Sequence, residues 1–309
     1  MQCYHPVTAF KSINPKPNGK FHIIFNGGSK DAGERIKLGC GRCIGCRLDR
    51  SQMWALRCTH EASLHDNNCF VTLTYRDEDL PHDKSLYKEH FQNFMKRLRK
   101  YISPLKVRYY ACGEYGVDRD LTTLNQLGRP HYHACLFGYD FPDKELFSNG
   151  DYKIYTSEIL EKIWGKGFCT IGDLTYETAA YTARYVTKKI NGDLAFDHYQ
   201  RFDEETGEIQ LLLPEFSLQS TKPGIGGDFF HLYKSDFNKD YVTHNGVKHK
   251  SPKYYDKLFE KFDADEFGAI KEKRKAAIDD DDPDNSPERL SVKERLTKSR
   301  LEKLKRTIK

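Results

Sequence analysis

Apolar and polar positions along residues 44–190 follow two periods, one of two residues and one between three and four. Short runs rich in β-branched and aromatic residues indicate strands, at 69–75, 106–112, 128–137 and 168–174. Apolar side chains three and four residues apart indicate amphipathic helices, at 44–65, 86–101, 157–164 and 177–190. Helices that alternate with a mostly antiparallel sheet predict an α+β fold, an antiparallel sheet with flanking helices of the ferredoxin or RNA-recognition type.

Both ends of the chain show weaker patterns. Residues 1–39 mix short apolar runs with proline and glycine, which predicts short strands and loops. Beyond residue 190 we expect, in order, a strand at 209–213, a glycine-rich turn at 222–227, an acidic linker at 279–284 and a basic helix at 288–309. That helix, lined by leucines, could bind DNA, form a dimer or pack at an edge, and its sequence does not decide among these roles.

These patterns divide the chain into three segments. Residues 1–66 form an N-terminal cysteine-rich basic segment with a helix, residues 67–235 form the core, and residues 236–309 form a C-terminal extension that contains the acidic linker and the basic helix. The chain is long enough to bury a sizeable core. It shows neither a signal peptide nor a run long enough to span a bilayer, so we expect a cytosolic protein without a membrane partner.

The net charge of +5 is modest, but the basic residues are concentrated at the two ends. Residues 1–60 contain ten lysines and arginines against three acidic residues, and the tail after Ser286 contains nine against three. Two basic ends around a nearly neutral middle indicate a polyanionic partner, most simply nucleic acid.

A tight group of cysteines follows the irregular N-terminal segment: Cys40, Cys43 and Cys46. Their C-x2-C-x2-C spacing supplies three thiolates, whereas a structural tetrahedral zinc site takes four ligands. Cys3 or His5 would complete the set if the N-terminus folds back, and Cys58 is a weaker candidate. The pattern predicts a structural Zn²⁺ site, and the competing interpretation is a tight turn that packs plain thiols.

Two histidines one residue apart occupy the predicted strand 128–137. Because side chains alternate between the faces of a strand, His131 and His133 point to one face and Tyr132 points to the other, towards the core. Paired imidazoles on a rigid strand suit a divalent cation. Glu114, at the end of a strand that returns antiparallel to the histidine strand, is the best third ligand, an oxygen donor of the kind that Mg²⁺ and Mn²⁺ prefer. Half-exposed histidines and a solvated glutamate are the plainer interpretation.

The predicted helix 177–190 carries two tyrosines and two cations at three- and four-residue spacing: Tyr181, Arg184, Tyr185 and Lys188. These side chains therefore share one helical face. A phenol is a weak nucleophile at its usual pKa of ~10, but nearby cations and a metal-bound phosphate favour the phenolate and offset transition-state charge. A tyrosine pair at this spacing is also an ordinary structural pair. The turn 222–227 lacks the ending of a phosphate-binding loop, so we expect a tight turn or a close approach of a nucleic-acid backbone there.

Three motifs in this order resemble those of the HUH endonucleases, the initiators of rolling-circle replication: Phe70-Val-Thr-Leu-Thr-Tyr75, His131-Tyr132-His133 and Tyr181-x3-Tyr185-x2-Lys188. The chain is still more similar to the replication initiation proteins of the Microviridae, small single-stranded DNA phages, and to their gokushovirus branch. Four segments carry that similarity, which extends to about residue 235: Met1-Gln-Cys3-Tyr-His-Pro6, Cys40-Gly-Arg-Cys43-Ile-Gly-Cys46-Arg47, Ala111-Cys-Gly-Glu114-Tyr-Gly116 and Pro223-Gly-Ile-Gly226. Two positions depart from the pattern, since Tyr132 stands where a bulky aliphatic residue is usual and Arg184 where a lysine is common.

The resemblance implies a site- and strand-specific endonuclease and strand transferase whose segment 67–235 is an HUH endonuclease core. His131, His133 and Glu114 would hold Mg²⁺ or Mn²⁺ against the scissile phosphate. Tyr181 or Tyr185 would attack, leaving a free 3′-OH and a 5′-phosphotyrosyl link.

The remaining steps of the implied cycle involve the helix cations and several partners. Lys188, with Arg184 as a helper, would steady the phosphate. The substrate would be origin DNA, single-stranded or locally melted, and the 3′-OH would prime host DNA polymerase. The second tyrosine would cut the regenerated origin while the first end is rejoined, which releases a single-stranded circle. The sequence shows neither a helicase motif nor an ATP-binding loop, so we expect a host helicase to unwind the template in the cytoplasm of a bacterial cell.

Two other classes of protein compete with this interpretation. Two histidines and a glutamate could form the facial triad of a non-haem iron oxygenase, which would leave the tyrosine helix and the basic ends unexplained. A zinc-knuckle DNA-binding or packaging protein without catalysis would explain the cysteines and the charge alone.

Overall fold

A computed structural model describes residues 3–17, 19–117, 127–186, 194–202, 207–277 and 282–303 of the 309-residue chain. The side chains of six further positions lie outside the described set: Val117, Tyr185, Val186, Leu194, Phe202 and Lys303. The described strands are β1 (Val7–Pro15), β2 (Phe21–Ile24), β3 (Ala32–Leu38), β4 (Asn68–Leu73), β5 (Arg108–Val117), β6 (Leu127–Phe137), β7 (Glu145–Asn149), β8 (Lys153–Thr156), β9 (Cys169–Gly172), β10 (Gln200–Phe202), β11 (Ile209–Leu211), β12 (Phe216–Gln219), β13 (Tyr241–His244) and β14 (Val247–Lys250). The described helices are α1 (Ile44–Ala62), α2 (Lys88–Tyr101), α3 (Glu158–Trp164), α4 (Tyr176–Val186), α5 (Leu194–His198), α6 (Gly227–Leu232), α7 (Lys253–Phe262), α8 (Ala264–Ala276) and α9 (Pro287–Lys303). The predicted α+β class, with antiparallel sheets and helices, is confirmed.

The largest sheet among the described residues has seven strands in the order β12-β5-β6-β4-β9-β8-β7, and every neighbouring pair is antiparallel. β6 therefore lies between β5 and β4. Glu114 lies directly opposite His131, and His133 lies opposite Thr72 of β4. Because directly opposed residues of paired strands share a face of the sheet, these four side chains point to the same side.

One face of this sheet is covered by α2 and α3. In α2, the residues that recur at three- and four-residue spacing are buried: Phe91, Phe94, Met95 and Leu98. They pack in one core with Tyr132 and Trp164, which are both fully buried. The side chain of Ser157 accepts the N–H of Leu160 and caps α3, and Gly165 ends that helix in the left-handed region. Tyr132 thus packs in the core, as its place between the histidines predicts.

The opposite face is covered by α4 and by the C-terminal half of α1. Their buried side chains at the contact are small: Ala55 and Cys58 of α1, Ala179 and Ala183 of α4. Small side chains allow a helix backbone to lie close to the sheet. Ser51 Oγ also donates a hydrogen bond of 2.8 Å to the backbone carbonyl of Ala180. These contacts hold α4 over the face of the sheet that carries the histidines.

The structure differs from the sequence-based expectation at Glu114. The glycines that flank this residue predict a strand end, but β5 continues through Gly113 to Val117. A Cβ at Gly113 would lie 2.8 Å from the ring of Phe216 on β12, so this glycine permits close packing between strands and does not mark a turn. The short strands β7 and β8 are not among the predicted elements. The predicted helices 177–190 and 288–309 are observed as α4 and α9, and residues 187–190 and 304–309 lie outside the described residues.

The chain divides into two compact units. Of the described residues, unit 1 contains those up to Arg50 and those from Lys275 onward, and unit 2 contains Ser51–Arg274. Unit 1 has an antiparallel three-stranded sheet in the order β2-β1-β3, the cysteine-rich turn and α9. Unit 2 has the seven-stranded sheet and its helices. In the part of the chain that the structure describes, each helix is too short or too polar to cross a membrane.

Candidate functional site

Strands β5 and β6 bring together the three predicted ligands Glu114, His131 and His133. His131 Nε2 lies 2.8 Å from Glu114 Oε1, and His133 Nε2 lies 3.1 Å from the same oxygen. The three potential ligand atoms are all within 4.8 Å of one another. Because the side chains belong to paired strands of one sheet, their geometry is set by the hydrogen-bonded backbone and costs little entropy on binding.

Each imidazole is oriented through its other ring nitrogen. His133 Nδ1 lies 2.9 Å from Thr72 Oγ1, and His131 Nδ1 lies 3.1 Å from the backbone carbonyl oxygen of Arg129. A carbonyl only accepts hydrogen bonds, so the Arg129 contact favours the His131 tautomer with N–H at Nδ1 and a lone pair at Nε2. That lone pair faces a carboxylate oxygen, and the pair of atoms is stable only with a proton or a metal cation between them. Partners at the second nitrogen are typical of metal-binding histidines.

Glu114 is buried and charged. Burial raises the pKa of its carboxyl, but hydrogen bonds and positive charge from His131 and His133 outweigh burial and hold this pKa below its ordinary value. The carboxylate is therefore ionised at neutral pH. Its second oxygen, Oε2, is buried and has no hydrogen-bond partner among the described residues. An anionic oxygen in that position is costly unless a ligand satisfies it, so the donor set fits a divalent cation.

Tyr181 of α4 lies beside this cluster. The edge of its ring meets the ring of His133, with 5.1 Å between centroids and an interplanar angle of 84°. The guanidinium carbon of Arg184 lies 6.0 Å from the centroid of the Tyr181 ring. The structure thus brings together five predicted site residues. The backbone of Tyr185 belongs to α4, but its side chain lies outside the described residues, as does the whole of Lys188.

A cavity of about 410 Å³ opens next to His133 and Tyr181. Its lining combines Phe70 with polar groups of the sheet edge, among them Lys153 of β8 and Asp173 after β9. The sequence does not single out Thr72, Lys153 or Asp173. Thr72 has the even spacing from Phe70 that places both on one face of β4, a signal that becomes informative only once the strand register is known.

The predicted cysteine ligands also meet, in unit 1. The sulfur atoms of four residues lie within 4.8 Å of one another: Cys3, Cys40, Cys43 and Cys46. Burial raises the pKa of the Cys43 thiol, but backbone N–H groups of Cys46 and Tyr4 outweigh it and lower that pKa to about 6. Of the other two candidates for the fourth ligand, His5 is hydrogen-bonded to Glu294 and Cys58 is buried in the core of unit 2. Cys3 therefore completes the set.

Comparisons with known proteins agree with this geometry. The family model of the replication-associated protein ORF2 matches residues 68–190, a range that includes Glu114, both histidines and Tyr181. Replication-associated protein ORF2 of Spiroplasma virus 4 is 39% identical over 253 residues, 76% of this chain and 72% of the relative. Replication-associated protein VP4 of Bdellovibrio phage phiMH2K is 31% identical over 235 residues, 72% of this chain and 67% of the relative.

A third relative, replication-associated protein ORF4 of Chlamydia phage 1, is 27% identical over 253 residues, which cover 76% of this chain and 58% of the relative. No solved structure matches the chain significantly. The identity and coverage of the first two relatives are high enough to assign a family. The chain belongs to the replication-associated proteins of the Microviridae, of the gokushovirus type.

Proposed function

We propose that this replication protein is a metal-dependent HUH endonuclease and strand transferase, with residues 67–235 as its catalytic core. It nicks one strand of double-stranded replicative DNA at the phage origin and rejoins the displaced strand into circles. The observation that carries the proposal is the phenol of Tyr181 at the edge of the His133 ring, beside the Glu114–His131–His133 cluster. A nucleophile, a charge-stabilising cation and a set of metal ligands are the parts that phosphoryl transfer requires.

The ligand set identifies the class of metal. His131, His133 and Glu114 would hold Mg²⁺ or Mn²⁺, because these ions accept carboxylate oxygen together with imidazole nitrogen. When bound, the cation acts as a Lewis acid towards a phosphate oxygen. The orphaned Glu114 Oε2 supplies the negative charge that such an ion needs. Thr72 and the Arg129 carbonyl keep the two Nε2 atoms turned towards the carboxylate.

The covalent step exchanges one phosphate ester for another. The Tyr181 oxygen attacks the scissile phosphorus and loses its proton, the bond from phosphorus to the 3′ oxygen breaks, and the leaving oxygen takes a proton to become a 3′-OH. A 5′-phosphotyrosyl link forms in place of the diester, so its free energy is conserved and no ATP is consumed. Arg184, 6.0 Å from the tyrosine ring, and Lys188 offset the negative charge that builds up on the phosphate. Tyr185, four residues from Tyr181, would carry out the second attack that closes the circle.

The partners follow from this chemistry. The 3′-OH primes a host DNA polymerase, and a host helicase exposes the single strand that the site cuts, all within the cytoplasm of the infected bacterium. The basic residues near both ends of the chain would bind the DNA backbone.

The test uses single-stranded oligonucleotides that tile the phage origin, incubated with purified protein and Mn²⁺. A denaturing gel should reveal a free 3′-OH fragment and a 5′ fragment attached to protein, and mass spectrometry should place the nucleotide on Tyr181 or Tyr185. Tyr181→Phe combined with Tyr185→Phe should abolish the adduct. Tyr176→Phe on the same helix, where Tyr176 stacks on His244 at 4.9 Å, is the matched control and should cleave normally.

Other outcomes would support the competing classes. DNA binding without any covalent product, under conditions in which the protein is folded and metal-loaded, would favour a non-catalytic DNA-binding protein. Metal-dependent turnover of oxygen that survives loss of both tyrosines would favour an oxygenase. An adduct on a residue outside α4 would reject the assignment of the nucleophile.

A further inference from the structure

The two ends of the chain meet in unit 1, and they do so around the four cysteines. The pairing of Val7 on β1 with Leu38 on β3 places the residues before one strand next to those after the other. Cys3 and Cys40 lie just beyond this pair, and the backbone N–H of Cys40 donates to Cys3 Sγ at 3.2 Å. Strand pairing therefore carries Cys3 to the cysteine turn even though it is distant in sequence.

The arrangement of the sulfur atoms fits a single tetrahedral ion. With Zn–S bonds of about 2.3 Å, the sulfurs of such a site are roughly 3.8 Å apart, and the distance from Cys43 Sγ to Cys3 Sγ is 3.9 Å. Backbone N–H groups also point at the sulfurs, from Tyr4 to Cys43 Sγ at 3.4 Å and from Cys43 to Cys40 Sγ at 3.3 Å. A neutral thiol is a weak acceptor, whereas a metal-bound thiolate is charged and accepts such bonds well.

The residues next to Cys3 contact helix α9. Tyr4 Oη lies 2.8 Å from Thr297 Oγ1, and His5 Nε2 lies 2.8 Å from Glu294 Oε2. Leu290 is buried against Tyr4 and the cysteine cluster. Leu290, Glu294 and Thr297 are separated by four and three residues, so one face of α9 packs on the segment that Cys3 begins.

Helix α9 has little other apolar surface to bury within the described residues. Leu290 is 4% exposed, whereas Leu296, on the same helix, is 53% exposed. A helix of this kind is held by tertiary contacts rather than by its own propensity. Its docking therefore depends on how firmly residues 3–5 are positioned.

We propose that a Zn²⁺ ion bound by Cys3, Cys40, Cys43 and Cys46 fixes the N-terminal segment as the docking surface of α9, so that zinc loading holds the two ends of the chain together. The ion is separate from the cation of the proposed cleavage site and has no open coordination position. Zinc binding and α9 docking are then coupled, because the metal-free thiols leave the segment around Cys3 without its anchor.

The experiment measures zinc content and the hydrogen exchange of α9 in the full-length protein. Purified protein should contain one tightly bound zinc per chain by mass spectrometry of metals, and cobalt in its place should give the absorption bands of tetrahedral thiolate coordination. Removal of the zinc with a chelator should raise amide exchange in α9, and re-addition of zinc should reverse it. Exchange in α2, which belongs to unit 2, serves as the internal control and should not change.

A matched pair of variants separates the metal from general loss of folding. Cys3→Ser should weaken zinc affinity by at least the roughly 10- to 100-fold that loss of an outer-shell partner costs, and should release α9. Cys58→Ala should keep its zinc and the wild-type exchange of α9. If purified, reduced protein neither contains nor binds zinc, or if zinc removal leaves exchange in α9 unchanged, the proposal is wrong. Because neither readout uses DNA, its failure is distinguishable from failure of the proposed endonuclease.

Discussion

The Glu114–His131–His133 cluster and the four-cysteine cluster bring their ligands together by different routes. Glu114 and the histidines come from neighbouring strands in the middle of a seven-stranded sheet, where the register alone makes them neighbours. Three of the cysteines come from one short turn, and only Cys3 has to be delivered by strand pairing. The first cluster therefore depends on the whole fold of unit 2, whereas the second is largely local.

The surroundings of the two clusters differ as well. The histidine cluster borders a cavity of about 410 Å³ and a tyrosine ring, so an ion held there can meet a substrate. The cysteine cluster packs on Tyr4 and Leu290, and four soft sulfur ligands would complete the coordination of zinc by themselves. Nitrogen and oxygen donors beside open space suit catalysis, and a closed sulfur set suits structure. We expect that either cluster can be destroyed while the other keeps its metal.

Loss of a histidine ligand should have the largest effect. His133→Ala removes a metal ligand and the ring that Tyr181 contacts, and since a catalytic metal supplies several kcal/mol of transition-state stabilisation, DNA cleavage should slow by roughly 10³- to 10⁴-fold. The measurement is single-turnover cleavage of origin DNA at saturating Mn²⁺.

Zinc content is the control for that variant. Because the cysteine cluster belongs to the other unit, His133→Ala protein should retain the zinc of the wild type. Loss of this zinc together with cleavage would show that the clusters are not independent, and undiminished cleavage would remove His133 from the proposed site.

Thr72→Val should have an intermediate effect. The valine keeps the shape of the side chain but removes the hydroxyl 2.9 Å from His133 Nδ1. Loss of such a partner typically weakens metal affinity by roughly 10- to 100-fold, which titration of cleavage with Mn²⁺ should reveal as a higher metal requirement. Thr74→Val is the matched control, because Thr74 Oγ1 donates to the carbonyl of Phe168 instead. Equal metal requirements in the two variants would contradict a role for Thr72 in orienting the imidazole.

The parts of the site that follow from strand alternation can be predicted from sequence. The period of two puts His131 and His133 on one face of a strand and Tyr132 on the other whatever the fold, and Tyr132 is indeed fully buried. The tyrosine and arginine of α4 share a face for the same kind of reason, since helical spacing is also local. The cysteine turn is equally predictable, because three of its ligands lie close together in sequence.

Features that depend on non-local pairing cannot be predicted in this way. Thr72 reaches His133 only because β4 pairs with β6 in one particular register, and a shift by one residue would turn it to the other face. The cavity beside Tyr181 depends on β8, a strand of four residues with no clear alternation. The sequence places Glu114 at a strand end because the packing of Phe216 on Gly113 is invisible until β12 is placed.

Tyr132→Phe should affect stability but not chemistry, which separates the two faces of β6. Tyr132 Oη lies 2.7 Å from Tyr75 Oη and donates to the carbonyl of Tyr87 at 2.9 Å. Leaving these buried partners unsatisfied should lower the free energy of unfolding by about 1–2 kcal/mol, as measured by urea denaturation. The cleavage rate of the folded variant should equal that of the wild type. Tyr101→Phe, at a position 57% exposed, is the control and should change stability by less than about 0.5 kcal/mol. A folded Tyr132→Phe protein with slowed cleavage would show that the two faces are coupled.

The smallest expected effect lies at the cysteine cluster, where Tyr4→Phe removes only the hydroxyl that contacts Thr297. One hydrogen bond contributes about 0.5–1.5 kcal/mol, so amide exchange in α9 should rise by roughly 2- to 10-fold while zinc content stays constant. Thr297→Val should have a similar effect, and the double variant should add little, because both single changes remove the same interaction. Effects that simply add would show that the two side chains stabilise α9 separately. No rise in either variant would mean that α9 is held by Leu290 and Glu294 without help from Tyr4.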